Sequence, residues 1–430
     1  TTLTVPFGGT ANISVTLAAP APPGGVVVTL ASSDSTRVEV LTPTVTFAQG
    51  VQTQNGQLGG VALGTTTINA SNPNYAPATS TVTTAANLNI VAATATIYPV
   101  FPDTQTIQFL SAGTPIAAPA GGSLVTLTAA DSSCVSVPAT VTIIGGLSTV
   151  RFPVNYAGSA ALPCTSYVKS TASGVGADSI LMTVNKPPTI GSGALDVGAG
   201  LEAQVYVSLQ TATVGNLTMT IRPLKLGVAR FAPNLTTVGV DTLVVPLPNG
   251  TSYLYATVAG VDSVVNDSTY VEISIPGYAT DTALVRVRQP GVQIYSVPTS
   301  TTSLSNTTAI YAEIGVPVQG GTTLQGAAQA VRAGHAPVTV TFHVNPGTFA
   351  QLTDSSGVFD TVRTAQILPG GNAYTPLSVA SGGVGFHPLA AGTTVTNVTI
   401  PGFVTNPSYS FTTTTITAPT LSFASPVLGA

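Results

Sequence analysis

Short runs of alternating apolar and polar residues recur along the whole 430-residue chain, each bounded by Gly, Pro, Asn or Asp. Within residues 338–344, Val338, Val340, Phe342 and Val344 fall on one face, and Thr339, Thr341 and His343 on the other. A period of two is that of a β-strand with one face in a core and one in water. The runs lie about 8–12 residues apart, the rhythm of a β-sandwich. Residues 320–336, GGTTLQGAAQAVRAGHA, depart from it, and their Ala and Gln content allows a short helix or an ordered loop. Elsewhere no window longer than two turns keeps a helical period.

The runs belong to a repeat. Residues 24–34 read GGVVVTLASSD and residues 121–131 read GGSLVTLTAAD, with Val38-Glu39-Val40 later matched by Val135-Ser136-Val137. Weaker copies start at Leu217 and at Val338. A second marker, a small turn and a residue such as Tyr75, Val175, Tyr278 or Phe403, precedes a Thr/Ser-rich strand near the end of each copy. Four domains follow: 1–86, 87–187, 188–290, and 291–419 with its insertion near 320–336. A strand-like tail, 420–430, comes after them. Proline at the junctions (Pro187, Pro188, Pro290, Pro419) predicts short, semi-rigid joints and an extended rod.

The run PAPPGGVVVTLASSD, the Val-x-Val strand and the later NYAPATSTVTT strand resemble bacterial immunoglobulin-like repeats, the invasin/intimin-like tandem repeats of surface proteins. The resemblance is good over the first two domains and holds in outline over the last two. It implies an all-β chain of tandem immunoglobulin-like Greek-key β-sandwich domains, with a role in display, adhesion or assembly. It brings no catalytic residues, and a fold alone does not give a function.

Composition narrows the classes. Charged residues make up only 6% of the chain while hydrophobic ones reach 44%, which excludes a disordered, charge-rich chain. With 11 Lys and Arg, no basic run and a net charge of −4, nothing predicts a nucleic-acid partner. No stretch of about 20 apolar residues predicts a membrane span. A secreted or cell-surface glycoprotein is expected, with Thr1 as the end left by signal-peptide cleavage. Cys134 and Cys164, the two cysteines, suit one disulfide and an oxidising compartment. Asn12, Asn69, Asn216, Asn234, Asn249, Asn266, Asn306 and Asn397 each begin an N-x-S/T acceptor for N-linked glycan.

Catalytic chemistry finds little support. His335, His343 and His387 lack metal-ligand spacing, and Asp262 with Asp267, or Asp354 with Asp360, match no calcium loop. No nucleophile elbow or phosphate loop occurs. The expectation is a chain that is no enzyme, with neither cofactor nor metal.

The ends carry the sharpest expectation. Inner domains open with two strand-like pieces, such as 88–90 and 107–109, or 292–294 and 310–312. The first domain reaches its second piece, 13–17, after only 12 residues, so its opening strand looks shortened or missing. The tail has the pattern of an opening strand with no domain behind it. Leu421, Phe423, Val427 and Leu428 of one copy would then complete the first domain of the next, beside Leu3, Val5, Ile13 and Val15. Such a head-to-tail contact does not close and makes a filament or surface layer, the chain being its own partner. The alternative is an adhesin or glycan-binding array that contacts glycans or other surface proteins through the enlarged fourth domain.

Overall fold

The repeated Gly-Gly is a turn with a steric cause. Gly25 has φ 76° and Gly122 φ 75°, a left-handed conformation that costs glycine little. A Cβ on Gly25 would lie 2.6 Å from the carbonyl oxygen of Phe47, and one on Gly122 would lie 3.0 Å from that of Ile143. Asp34 and Asp131, the last residues of the two motifs, accept the N–H groups of Thr36 and Ser133 and close a turn after the strand.

The structure, a computed structural model, describes residues 2–92, 95–318, 320–325 and 328–422. It divides into two compact units, Thr1–Pro187 and Pro188–Ala430. The first domain contains β1 (Leu3–Pro6), β2 (Thr10–Thr16), β3 (Val26–Ser32), β4 (Val38–Val40), β5 (Thr44–Phe47), β6 (Thr53–Gly60), β7 (Gly64–Asn72) and β8 (Tyr75–Ala85). One sheet runs β1-β8-β7-β3-β5 and the other β2-β6-β4. In β3, Val26, Val28 and Leu30 point inward while Val27 is exposed. These side chains meet Val5, Phe47, Leu58 and Val82 in one core.

The second domain opens with β9 (Asn87–Val91), β10 (Thr96–Ile97) and β11 (Asp103–Ser111). β9 lies antiparallel on β11, with Leu88 opposite Phe109 and Ile90 opposite Ile107. β10 lies parallel to the last strand of the domain, Val175–Val184. β9 also touches that strand at Gly176, which joins the two layers into one ten-stranded path. Phe7 and Leu63 of the first domain pack on this domain's core, Phe7 edge-on to Phe109 at 6.3 Å.

In the other unit the third domain repeats the plan. Ile190–Ser192 lies antiparallel on Leu201–Leu209, and Leu195–Gly198 lies parallel to Asp281–Arg288. The fourth does so with Gly291–Tyr295 on Thr308–Gly315 and Ser300–Thr302 beside Phe411–Thr417. Its core gathers Val340, Phe342, Val344, Leu352, Phe386 and Val398. Two facing sheets with this strand order are the immunoglobulin arrangement, in which one half of the opening strand joins each sheet.

Over most of its described residues the 320–336 insertion is the loop rather than the helix, with one short strand added. No helix is found among its described residues. Ala330–Val331 is a strand that pairs antiparallel with Leu201–Leu209 of the third domain. Just before it, the buried Gln329 accepts the N–H of Gly198 at 2.7 Å and donates to the carbonyl of Asp196 at 2.7 Å. Backbone groups buried there need partners, and one amide side chain satisfies both a donor and an acceptor. Just after it, Arg332 pairs with Asp262, and the Ala333 N–H donates to Glu202 at 3.2 Å.

Glu202 is 2% exposed, and its Oε1 has no hydrogen-bond partner. Burial pushes its carboxyl up to about 7, against the pull of the Ala333 N–H and the Arg332 charge. The folded chain therefore holds a proton that the unfolded chain releases near 4.5. This contribution to stability is full below that pH and is lost as pH rises through about 7. Glu202→Gln should be about 2–3 kcal/mol more stable than the natural chain at alkaline pH and nearly equal to it near pH 4. Urea unfolding at the two pH values checks this, and a pH-independent difference would refute it.

Candidate assembly edge of the first domain

β2 is a strand because Ala11, Ile13 and Val15 alternate with Asn12, Ser14 and Thr16. It pairs antiparallel with β6, Ile13 opposite Gly56 and Thr16 opposite Thr53. The Gly60 N–H donates to the carbonyl of Gly9 at 3.0 Å, and the Leu17 N–H to that of Gln52 at 2.9 Å. Hydrogen-bonding direction alternates along an antiparallel strand. Odd-numbered residues from 9 to 17 therefore turn their backbone groups toward β6. Those of Asn12, Ser14 and Thr16 point the other way. No strand lies there among the described residues.

The second domain shows what occupies that place elsewhere. The Phe109 N–H donates to the Ser148 carbonyl as Leu17 does to Gln52, and Ala118 to Leu147 as Ala21 does to Val51. Leu17 and Val15 thus match Phe109 and Ile107. In the second domain β9 covers that pair with Leu88 and Ile90, and both Ile107 and Phe109 are 0% exposed. The third domain uses Ile190, and the fourth Val292 and Ile294, all buried. Val15, with no such cover, is only half-buried.

The expectation of a shortened or missing opening strand is corrected to half a strand. β1 is present and lies parallel to β8, Leu3 opposite Val82 and Pro6 opposite Ala85. It supplies the half that joins the β8 sheet, because Val5 is drawn into the core. The half that would join β2 is not found among the described residues. β1 covers β8 only from Val82 onward, so a groove of about 440 Å³ runs between the edges of β2 and β8. Leu3, Ile13, Val15, Leu30 and Ile68 line it with Ala78 and Thr79 of β8, and none of its lining residues is charged. An uncharged slot with an apolar floor and outward backbone groups on one wall fits an extended segment carrying apolar side chains at every second position.

Of the four predicted acceptor residues, Leu3, Ile13 and Val15 meet at this groove, whereas Val5 lies in the core below it. Leu421 of the tail is fully exposed. Phe423, Val427 and Leu428 lie outside the described residues. Cys134 and Cys164 form a disulfide within the second domain, their Cα atoms 6.0 Å apart. Seven acceptor asparagines (Asn12, Asn69, Asn216, Asn234, Asn249, Asn266 and Asn306) are exposed, while Asn397, opposite His343 and Phe411 in a sheet, is half-buried.

His335, His387 and the four aspartates have partners of their own, and His343 stands half-buried on the outer face of its strand. His335 stands 3.4 Å from Asp262, and His387 contacts Thr307 and the Phe359 ring. Asp267 holds Lys225, while Asp354 and Asp360 flank Arg363. Among the described residues no three His, Cys, Asp or Glu side chains converge as metal ligands. Among the described residues no helix is long and apolar enough to cross a membrane.

Sequence reasoning passed over two features. Glu202 and Gln329 depend on contacts across about 130 residues, which no local pattern reveals. Tyr206, Tyr253 and Tyr255 form an exposed ring cluster on the third domain, with centroids 5.4–6.3 Å apart. Its trace is the Tyr-x-Tyr spacing at 253–255, which puts both rings on one face.

The chain is a tandem of immunoglobulin-like sandwiches. No protein-family model and no curated protein sequence matches it. Among solved structures it is similar to the I9–I11 tandem of titin, at 11% identity and a TM-score of 0.25, over 67% of this chain and 96% of that one. A complex of Dpr2 Ig1–Ig2 with DIP-Theta Ig1–Ig3 gives 10%, 0.26, 67% and 96%. A Salmonella alpha-2-macroglobulin mutant gives 11% and 0.19, over 96% of this chain and 29% of that one. Scores this low bring no activity or partner with them.

Proposed function

We propose that the chain is a structural subunit, secreted or displayed at a cell surface, that assembles head to tail. A strand from within its C-terminal tail, 420–430, completes the first domain of another copy, and the contact repeats without closing. The observation that carries this reading is the uncovered edge of β2 above Ile13 and Val15, where the other three domains hold an opening strand. An edge of outward backbone groups beside half-buried apolar side chains, Leu3 and Val15, invites strand addition. The disulfide and the exposed glycan acceptors favour an oxidising, extracellular setting. A bacterial surface protein of the invasin/intimin-like kind remains the family that the repeats resemble. In this role the chain is no enzyme and needs no cofactor.

Negative-stain electron microscopy of the 430-residue chain beside one ending at Pro419 tests the reading. Filaments are expected from the first and single particles from the second, and Phe423→Asp should abolish filaments while leaving both units folded. Filaments that persist in the shortened chain or in Phe423→Asp would overturn it.

The adhesin reading is supported by the exposed tyrosines of the third domain, since Tyr combines an apolar face with a polar tip. The 320–336 insertion supports it less, because Ala330–Val331 pairs with Leu201–Leu209 of the third domain. Binding of the natural chain to immobilised glycans, lost in Tyr206→Ala with Tyr255→Ala, would establish it.

A further inference from the structure

We infer that Pro419-Thr420-Leu421-Ser422-Phe423 enters the next copy's first domain antiparallel to β2, with Leu421 opposite Leu17 and Phe423 opposite Val15. This rests on the assembly proposed above and fixes its pairing. In the second domain the covering residues are two apart, Leu88 on Phe109 and Ile90 on Ile107. In the fourth they are Val292 and Ile294. Leu421 and Phe423 repeat that spacing. The lead-in matches as well, since Pro188-Thr189-Ile190 opens the third domain as Pro419-Thr420-Leu421 opens the tail. Ile190 sits opposite Leu209, whose N–H donates to the Ser252 carbonyl as Leu17 donates to Gln52.

Chain length agrees. Four residues lead from Arg288, the end of the third domain's last strand, to Val292. Four lead from Thr417 to Leu421. The joint between copies therefore repeats, in residue count, a joint within one chain. The parallel half of the opening strand is already supplied by Leu3 and Val5 in β1. Val427 and Leu428, which fall beyond the antiparallel half, thus stay outside the groove.

The pairing has a chemical signature. β2 turns the backbone groups of Ile13, Val15 and Leu17 toward β6, so on its other edge these positions form non-hydrogen-bonded pairs. Cα atoms in such pairs lie about 4.5 Å apart, within reach of a disulfide. The chain carrying Val15→Cys and Phe423→Cys should give, under mild oxidation, a ladder of covalent multimers on a non-reducing gel. Val15→Cys with Leu421→Cys, a slip of two residues, should give about tenfold less. Leu428→Asp should leave filaments intact. In Val15→Cys alone, the thiol should react freely with a maleimide in the chain ending at Pro419 and be protected in filaments.

A ladder at least as strong from the Leu421 pair, or filaments lost in Leu428→Asp, would overturn the pairing and leave assembly standing. Filaments without a ladder from either pair, and with the Val15→Cys thiol still reactive, would overturn this edge as the junction. The absence of both filaments and ladders from folded protein would overturn assembly itself.

Discussion

Phe342→Ala should remove about 3–5 kcal/mol from the fourth domain, because truncating a buried phenylalanine loses its transfer free energy and leaves a cavity. Phe342 is fully buried on Val338–Asn345, among Val340, Val344 and Phe386. A loss of that size is a large fraction of the roughly 5–15 kcal/mol that holds a domain folded. His343→Ala, on the half-buried opposite face of the same strand, should change stability by about 0.5 kcal/mol or less. Urea unfolding followed by tyrosine fluorescence reads both, since the chain contains no Trp. Equal losses from the two substitutions would contradict the assigned faces.

That strand also shows what the sequence could reveal. Alternation at 338–344 sorted core from surface because a one-residue slip would turn Phe342 into water. The Gly-Gly repeat marked a turn because a side chain at Gly25 would meet the Phe47 carbonyl. The residue count before Ile13 pointed to the edge where Leu3, Ile13 and Val15 now line a groove. It did not show that β1 and Val5 already fill half of the opening strand, because parallel pairing with β8 joins residues about 80 positions apart. The clamp of Gln329 on Gly198 and Asp196 was hidden for the same reason. The composition of 320–336 suggested a helix or a loop; its described residues are mostly loop, with Ala330–Val331 drawn onto a strand of the third domain.

Breaking the Cys134–Cys164 disulfide should cost the second domain roughly 3–4 kcal/mol, the chain entropy that closing its loop removes from the unfolded state. The sequence separation is 30 residues. Cys134 lies fully buried in the core beside Val135, so removing the bond also frees a buried sulfur atom. For a domain of this size the loss corresponds to a fall in melting temperature on the order of 20 °C. Calorimetry with and without reductant, and on Cys134→Ser with Cys164→Ser, gives the measurement. The fourth domain serves as the internal reference, because it contains no cysteine. An unchanged transition in the reduced protein would show that packing alone holds the second domain.

The parallel pairing of one half of the opening strand with the last strand has a mechanical consequence. In the four domains these pairs are β1 with β8, β10 with Val175–Val184, Leu195–Gly198 with Asp281–Arg288, and Ser300–Thr302 with Phe411–Thr417. Tension applied through the two ends of a domain draws such neighbours past each other along their length. Their hydrogen bonds are then loaded together instead of being peeled one at a time. When the second domain does yield, its disulfide withholds the loop between Cys134 and Cys164. That domain should lengthen by about 100 Å less than it would without the bond, a shorter step among those of its neighbours.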